Sequence, residues 1–332
     1  MGRLRLNLAC GDYDRTRALK DGVVQVDGVD LNFITLSGGL PELFWRMLRH
    51  EEFDAGELSM SGYIAERARG IHRFIAIPIF PSRSFRHSSF YIHSDSGIEK
   101  PEDLKGKTIG VPEYNMTAVM WARGILQHEY AVKPSDVVWL TGGLEQPGRT
   151  ERIELDLPPG IVVQPIAEGQ TLNAMFARGE IPALISPYPV APFLQGHPKM
   201  RRLFPDYRRA EEDYYRKTRL FPIMHTVVVK ESIYREAPWV AMNLYKAFCQ
   251  AKDICFREIV YPGSLKVSIP WLIPEISRER EILGEDLWPY GLAANRQVLE
   301  TMIQFSYEQG LSPRKVPVEE LFAKETLDQF RI

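Results

Sequence analysis

Apolar and polar positions alternate from the start of the chain. Leu4, Leu6 and Leu8 are separated by Arg5 and Asn7, a period of two that predicts a first β-strand. Val29–Ile34 reads as a second strand. Residues 40–49 then place Leu43, Phe44, Met47 and Leu48 at helical spacing. Residues 53–58 predict a short strand entering a turn, residues 61–69 a helix, and residues 74–80 a buried strand. Further strands are expected at Phe90–His93, Thr108–Val111, residues 161–166 and Ala183–Ile185, with helices at Thr117–Tyr130 and residues 171–178. Such alternation of strands and helices argues for parallel α/β layers.

The second half predicts one more strand at residues 226–229 and a long helix over residues 238–259. Pro238 suits the first turn of that helix, and Val240, Leu244, Ala247, Phe248 and Ala251 fall on its inner face. A helix over residues 295–309 is stopped by Gly310, and residues 317–324 predict a short closing helix with Pro317 in its first turn. No repeat, low-complexity tract or Gly/Ser linker interrupts this pattern. The 332 residues suggest two domains. Without a linker, two lobes joined by crossing strands, one inserted in the other, are expected.

Composition narrows the function classes. Hydrophobic residues at 45% and charged residues at 25% describe a globular chain with a full core, which excludes disorder. Lys+Arg total 41 against 43 Asp+Glu, a net charge of −2, so no global field exists to hold a nucleic acid. Cys10, Cys249 and Cys255 cannot build a disulfide framework, and Cys249 and Cys255 read as core residues. No window approaches 18 uncharged apolar residues, so no membrane partner is expected. The apolar opening is broken by Asn7 and ends at Gly11-Asp12, too short for a secretory leader, and a cytoplasmic location is expected.

Familiar catalytic motifs are absent. Lys105-Gly106-Lys107-Thr108 resembles the end of a phosphate-binding loop, but Pro101 stands where its first glycine belongs. His128-Glu129 opens like a zinc-protease helix, but Val132 replaces the second histidine. No dinucleotide fingerprint and no nucleophile elbow occur. What remains is a series of polar clusters at strand ends: residues 11–17, 56–61, 81–89, 112–117 and 186–188. In open α/β sheets ligands lie outside the carboxyl ends of strands. Clusters rich in Arg, Ser, Thr and Tyr at those positions suit a small carboxylate, held by guanidinium forks and helix N-terminal amides.

Several of these segments carry a family resemblance. Ile98-Glu99-Lys100-Pro101-Glu102-Asp103-Leu104-Lys105-Gly106-Lys107-Thr108-Ile109-Gly110-Val111 looks like the entry to the second lobe of type II periplasmic-binding-protein folds. Ala9-Cys10-Gly11-Asp12-Tyr13-Asp14-Arg15-Thr16, Phe53-Asp54-Ala55-Gly56-Glu57-Leu58-Ser59-Met60-Ser61 and Ile79-Phe80-Pro81-Ser82-Arg83-Ser84-Phe85-Arg86-His87 are more specific. With Trp288-Pro289-Tyr290-Gly291 near the end, they resemble the 4,5-dihydroxyphthalate decarboxylase family over nearly the whole chain. The resemblance implies an α/β, two-lobed type II periplasmic-binding-protein-like fold used for decarboxylation in aromatic degradation. It also implies a first lobe of residues 1–94 plus 225–332, an inserted second lobe of residues 95–224, and a ligand in the cleft between them.

Such a reaction needs a cationic clamp for a carboxylate, a proton donor for a ring carbon, and an acceptor for a phenol. Arg15, Arg83 and Arg86 are the candidate clamps. His87 and His225 are the candidate acid–base groups, and Glu57 either accepts the phenol proton or orients a histidine. Ser59, Tyr114, Thr117 and Ser186 are candidate substrate contacts. A hydroxyl para to the departing carboxylate makes an organic cofactor unnecessary in principle. Metal assistance stays open without any ligand spacing that favours it. The expected partner is a small aromatic carboxylate, and a homo-oligomer stays open. A non-catalytic binding protein for a small organic anion is the alternative of a different class, and it is disfavoured by the expected cytoplasmic location.

Overall fold

The computed structural model describes residues 2–327. Met1 and residues 328–332, ends of the expected first lobe, lie outside the described residues. The chain divides into two compact units. The first comprises Met1–Arg83, Ile223–Glu300 and Val316–Ile332; the second comprises Ser84–Pro222 and Thr301–Lys315.

In chain order the strands are β1 (Leu4–Ala9), β2 (Val29–Ile34), β3 (Ala55–Ser59), β4 (Phe74–Ile77), β5 (Phe90–His93), β6 (Thr108–Val111), β7 (Val138–Thr141), β8 (Val162–Pro165), β9 (Ala183–Ile185), β10 (Met200–Arg202) and β11 (His225–Lys230). The sheet of the first unit runs β2-β1-β3-β11-β4. β1 is parallel to β2 and β3, whereas β11 is antiparallel to both β3 and β4. The alternation at the start of the chain is a half-covered strand: Leu6 and Leu8 are buried while Arg5 and Asn7 face out. β3 is buried at every position, which is where a polar residue most needs partners. Leu6, Leu8, Val227, Val229, Leu244 and Phe248 share the core of this unit.

The long helix Trp239–Ile259 supplies part of that core. Val240, Leu244, Ala247, Phe248 and Ala251 are all buried, and Pro238 stands just before the first turn. The helix expected at residues 40–49 spans Gly39–His50 and buries Leu43, Phe44, Met47 and Leu48. β4 stops at Ile77 rather than reaching residue 80, because Pro78 has no N–H to give the ladder. Residues 317–324 form no α-helix; Val318–Leu321 is a short 3-10 turn with Pro317 ahead of it in extended conformation.

The second unit holds a six-stranded sheet in the order β10-β5-β9-β6-β7-β8. β6, β7, β8 and β9 run parallel, and β5 pairs antiparallel with β9 and β10. Leu172, Phe176, Ile181, Leu184 and Tyr91 pack one face of it. β7, β10 and the helices Tyr207–Thr218 and Leu272–Leu283, the last in the first unit, were not expected from the pattern. The two strands are only four and three residues long, and Tyr207–Thr218 buries Tyr214 alone. No helix among the described residues is long and apolar enough to cross a membrane.

Candidate active site

Glu57 lies in the middle of the buried strand β3 and has no exposed surface. The antiparallel register sets Val227 opposite Glu57 and His225 opposite Ser59. Cross-strand partners share a face and side chains repeat every two residues, so Glu57 and His225 are diagonal neighbours on one face. His225 Nδ1 lies 2.6 Å from Glu57 Oε1. The Tyr13 hydroxyl donates to the same oxygen at 2.7 Å. On Oε2 the Gly11 amide donates at 2.9 Å and the Cys10 thiol at 3.4 Å. Parallel pairing of Ala9 with Gly56 places Cys10 and Gly11 beside Glu57.

Burial by itself would raise the Glu57 carboxyl. The hydrogen bond and charge of His225, then the Gly11 amide and the Tyr13 hydroxyl, outweigh it and hold Glu57 below the usual glutamate range. An ionised carboxylate only accepts, so Nδ1 of His225 carries the proton shared with it. Nε2 takes no hydrogen bond among the described residues. The edge of Phe44 meets the imidazole at 4.8 Å between centroids and packs it in place. A buried carboxylate thus fixes one nitrogen of the imidazole, and Phe44 fixes the ring plane. Ser59 is buried on the same face, its Oγ 3.4 Å from that of Ser61.

Two nominated arginines of this unit are tied to main chain. Arg15 Nε donates to the Pro81 carbonyl at 2.9 Å, and Nη1 pairs with Asp14 at 3.0 Å. Its guanidinium carbon stands 4.1 Å from the ring centroid of Trp288 and 4.3 Å from that of Tyr13. Arg83 Nη2 donates to the Pro289 carbonyl at 2.8 Å and to Asn295 Oδ1. Asn295 in turn donates to the carbonyls of Pro289 and Gly291. Arg83 thus fastens the Trp288-to-Gly291 segment.

The second unit holds the other nominated residues. Arg86 is buried, and its Nε has no hydrogen-bond partner among the described residues. Burial pushes its pKa down to about 10, against the pull of Glu211 and Tyr188. His87 is buried against Phe204 and Tyr214, with centroids 5.0 and 5.4 Å away, and burial pushes its pKa down to about 4. Its Nδ1 also has no partner among the described residues. Tyr114 is a core residue: its hydroxyl donates to the Gln309 carbonyl at 3.1 Å and its ring stacks on Arg123. Thr117 is buried at the start of the helix Thr117–Tyr130. Ser186 is engaged by its own loop, donating to the Tyr188 carbonyl and accepting from the Tyr188 amide. Beside them Glu151 accepts the amides of Tyr114 and Asn115, and burial lifts its pKa to about 7.

Comparison with known proteins decides the family. A curated 4,5-dihydroxyphthalate decarboxylase from Comamonas testosteroni is 41% identical over 332 residues, covering 100% of each chain. Another from Pseudomonas putida is 47% identical over 216 residues, covering 65% of this chain and 83% of that one. The chain belongs to the 4,5-dihydroxyphthalate decarboxylase family. The fold is that of the periplasmic aliphatic sulphonate binding protein SsuA from Escherichia coli, at a TM-score of 0.54 and 13% identity, covering 99% of this chain and 100% of that one. No family model matches the chain.

Within this decarboxylase-family chain, Glu57 and His225 come together in one unit, while Arg86, His87, Tyr114, Thr117 and Ser186 are distributed through the other. Tyr13, Cys10 and Gly11 contact Glu57 and lie outside the candidate site residues that the sequence suggests. Their signal was present as the polar cluster following the first strand, but nothing in it points to a partner 44 residues away. Among the described residues no group of three or more His, Cys, Asp or Glu side chains is arranged to hold a metal ion.

Proposed function

We propose that this chain removes one carboxylate, as CO2, from a hydroxylated aromatic dicarboxylate of the 4,5-dihydroxyphthalate kind, leaving protocatechuate. The names of the curated relatives support the substrate class. The observation that carries the chemistry is the Glu57–His225 pair, joined at 2.6 Å on a buried strand face.

Direct loss of CO2 from a benzoate strands an electron pair in the ring plane, where the π system cannot delocalise it. In 4,5-dihydroxyphthalate each carboxylate has a hydroxyl para to it. Electron density from that hydroxyl loads the ring carbon that bears the carboxylate. His225, as the imidazolium, gives its Nε2 proton to this carbon. The carbon–carboxylate bond then breaks, its electron pair restores the aromatic ring, and CO2 departs. One proton is consumed per CO2, so the imidazole is recharged from solvent before the next turnover. Glu57 holds the imidazolium in place and balances its charge. All four donors around Glu57 are already satisfied by it, which favours an orienting role over accepting the phenol proton. His87, neutral in an aromatic enclosure, is the weaker candidate donor.

His225→Gln tests the reading. The variant should lose roughly 10²–10⁴ in kcat, the usual worth of a general acid, while affinity for unreactive phthalate changes little. The parent in D2O should yield product with deuterium at the carbon that lost CO2. A His225→Gln variant with parental kcat removes His225 from the mechanism. A parent that binds hydroxyphthalates without turnover, assayed both with chelator and with added divalent cations, is a binding protein instead.

A further inference from the structure

Glu57 is unusual in how completely it is used. Its Oε1 accepts both His225 Nδ1 and the Tyr13 hydroxyl, and its Oε2 accepts the Gly11 amide and the Cys10 thiol. Donors on one oxygen compete, because each withdraws charge that the other would otherwise meet. The Tyr13 hydroxyl and the His225 ring are therefore coupled through a single atom.

Tyr13 is also placed with care. The turn that carries it is closed by the Tyr13 amide on the Gly11 carbonyl at 3.2 Å and the Thr16 amide on the Tyr13 carbonyl at 3.2 Å. A Cβ on Gly11 would lie 2.6 Å from Cε2 and 2.9 Å from Cζ of the Tyr13 ring, so only glycine lets the ring fold back over residue 11 to reach Glu57. Over the ring lies the Arg15 guanidinium, itself stacked on Trp288 and fixed to the Pro81 carbonyl. Arg15 spends its hydrogen bonds on Pro81 and Asp14 and its flat face on Tyr13. That is the geometry of a support rather than of a free carboxylate fork.

We propose that Tyr13 is a positioning residue for the decarboxylation, which sets the proton affinity of His225 by sharing Glu57 Oε1 with it, and that Arg15 acts by holding Tyr13 in that place. The inference rests on the decarboxylase reading, in which His225 is the proton donor. The titratable and charged groups that contact Glu57 and its supports are Cys10, Tyr13 and Arg15 after β1, with Asp14 paired to Arg15. Burial and the charge of Glu57 push the Tyr13 hydroxyl well above the usual tyrosine range, so it remains a donor throughout the working pH range.

The sign of the effect follows. Removing the Tyr13 hydroxyl leaves more negative charge on Oε1 for the imidazolium, which is then harder to deprotonate. The alkaline limb of the kcat–pH profile, where the donor is lost, should move up by about half to one pH unit in Tyr13→Phe, the worth of one hydrogen bond. Arg15→Lys keeps the charge but not the flat stacking surface, and should move the limb in the same direction with KM within about twofold of the parent. Gly11→Ala, which displaces the ring, is a further route to the same shift if Tyr13→Phe does not fold. An active parent, an inactive His225→Gln and an unmoved profile in the folded Tyr13→Phe or Gly11→Ala variant overturn the inference while leaving the decarboxylase reading in place. An Arg15→Lys variant with raised KM and an unmoved profile overturns the part assigned to Arg15 and makes it a substrate clamp. A His225→Gln variant with parental kcat overturns the reading itself.

Discussion

Glu57→Gln is the most informative single change, because it removes one charge and almost no volume from a site with no exposed surface. The carboxylate has four donors pointed at it and the amide offers only one acceptor oxygen. If the amide oxygen faces His225 and Tyr13, its NH2 group confronts the Gly11 amide and the Cys10 thiol. Reversed, it confronts His225 and Tyr13. Each donor left unsatisfied in a buried site costs about 1–3 kcal/mol, so the variant should be destabilised by ~2–4 kcal/mol. The loss should depend on pH. Glu57 titrates in the folded protein below its unfolded value. The stabilisation of the ionised form is therefore complete above about pH 4.5 and fades as pH falls through the lower folded value. Parent and variant should converge in acid and separate above it. Catalysis should suffer more than binding: kcat falls roughly 10²–10⁴, since the imidazolium loses both its counter-charge and its alignment. Denaturant melts in a pH series from 7.5 down through and well below 4.5, with steady-state kinetics and calorimetric binding of phthalate at pH 7.5, provide the data. Unchanged stability together with kcat within about threefold of the parent would refute the reasoning.

If Arg86 is a carboxylate clamp, Arg86→Lys should weaken phthalate binding about tenfold or more in calorimetry, because an ammonium cannot replace a bidentate fork; unchanged affinity in a folded variant would remove Arg86 from that role. His87 should make the protein acid-sensitive: its folded pKa of about 4 lies below its unfolded value of about 6.5, so stability falls by roughly 3 kcal/mol as pH drops between them. His87→Phe should flatten that slope in denaturant melts from pH 7 to pH 4, and a slope equal to the parent's would contradict the assignment.

How much of this was readable in advance follows from how local each signal is. The strand from Leu4 and the helix Trp239–Ile259 announce themselves, because the residues that bury them recur within a few positions. Thr117–Tyr130 does so too, with both ends where the pattern puts them. Tyr207–Thr218 does not, since a helix that buries only Tyr214 has no apolar stripe to detect. Glu57 is suggested by its place at a strand end and His225 by its place at the expected crossing back into the first lobe, but their pairing spans 168 residues and depends on β11 lying antiparallel beside β3. Strand alternation favoured parallel neighbours and gave no register for such a pair. Tyr13 was less readable still, because its reach to Glu57 depends on the missing Cβ of Gly11. Arg15 and Arg83 show a further limit: an arginine in a polar loop looks the same in sequence whether it meets a substrate carboxylate or the carbonyls of Pro81 and Pro289.

The proposed reaction breaks a carbon–carboxylate bond in a hydroxylated phthalate. Purified protein incubated with 4,5-dihydroxyphthalate, with CO2 trapped and the ring products separated, measures that event directly. Protocatechuate and CO2 should form in equal amounts, in proportion to enzyme, and be suppressed roughly 10²–10⁴-fold in His225→Gln. Recovery of unaltered 4,5-dihydroxyphthalate, bound or free, with no CO2 above the protein-free control would contradict the proposed reaction.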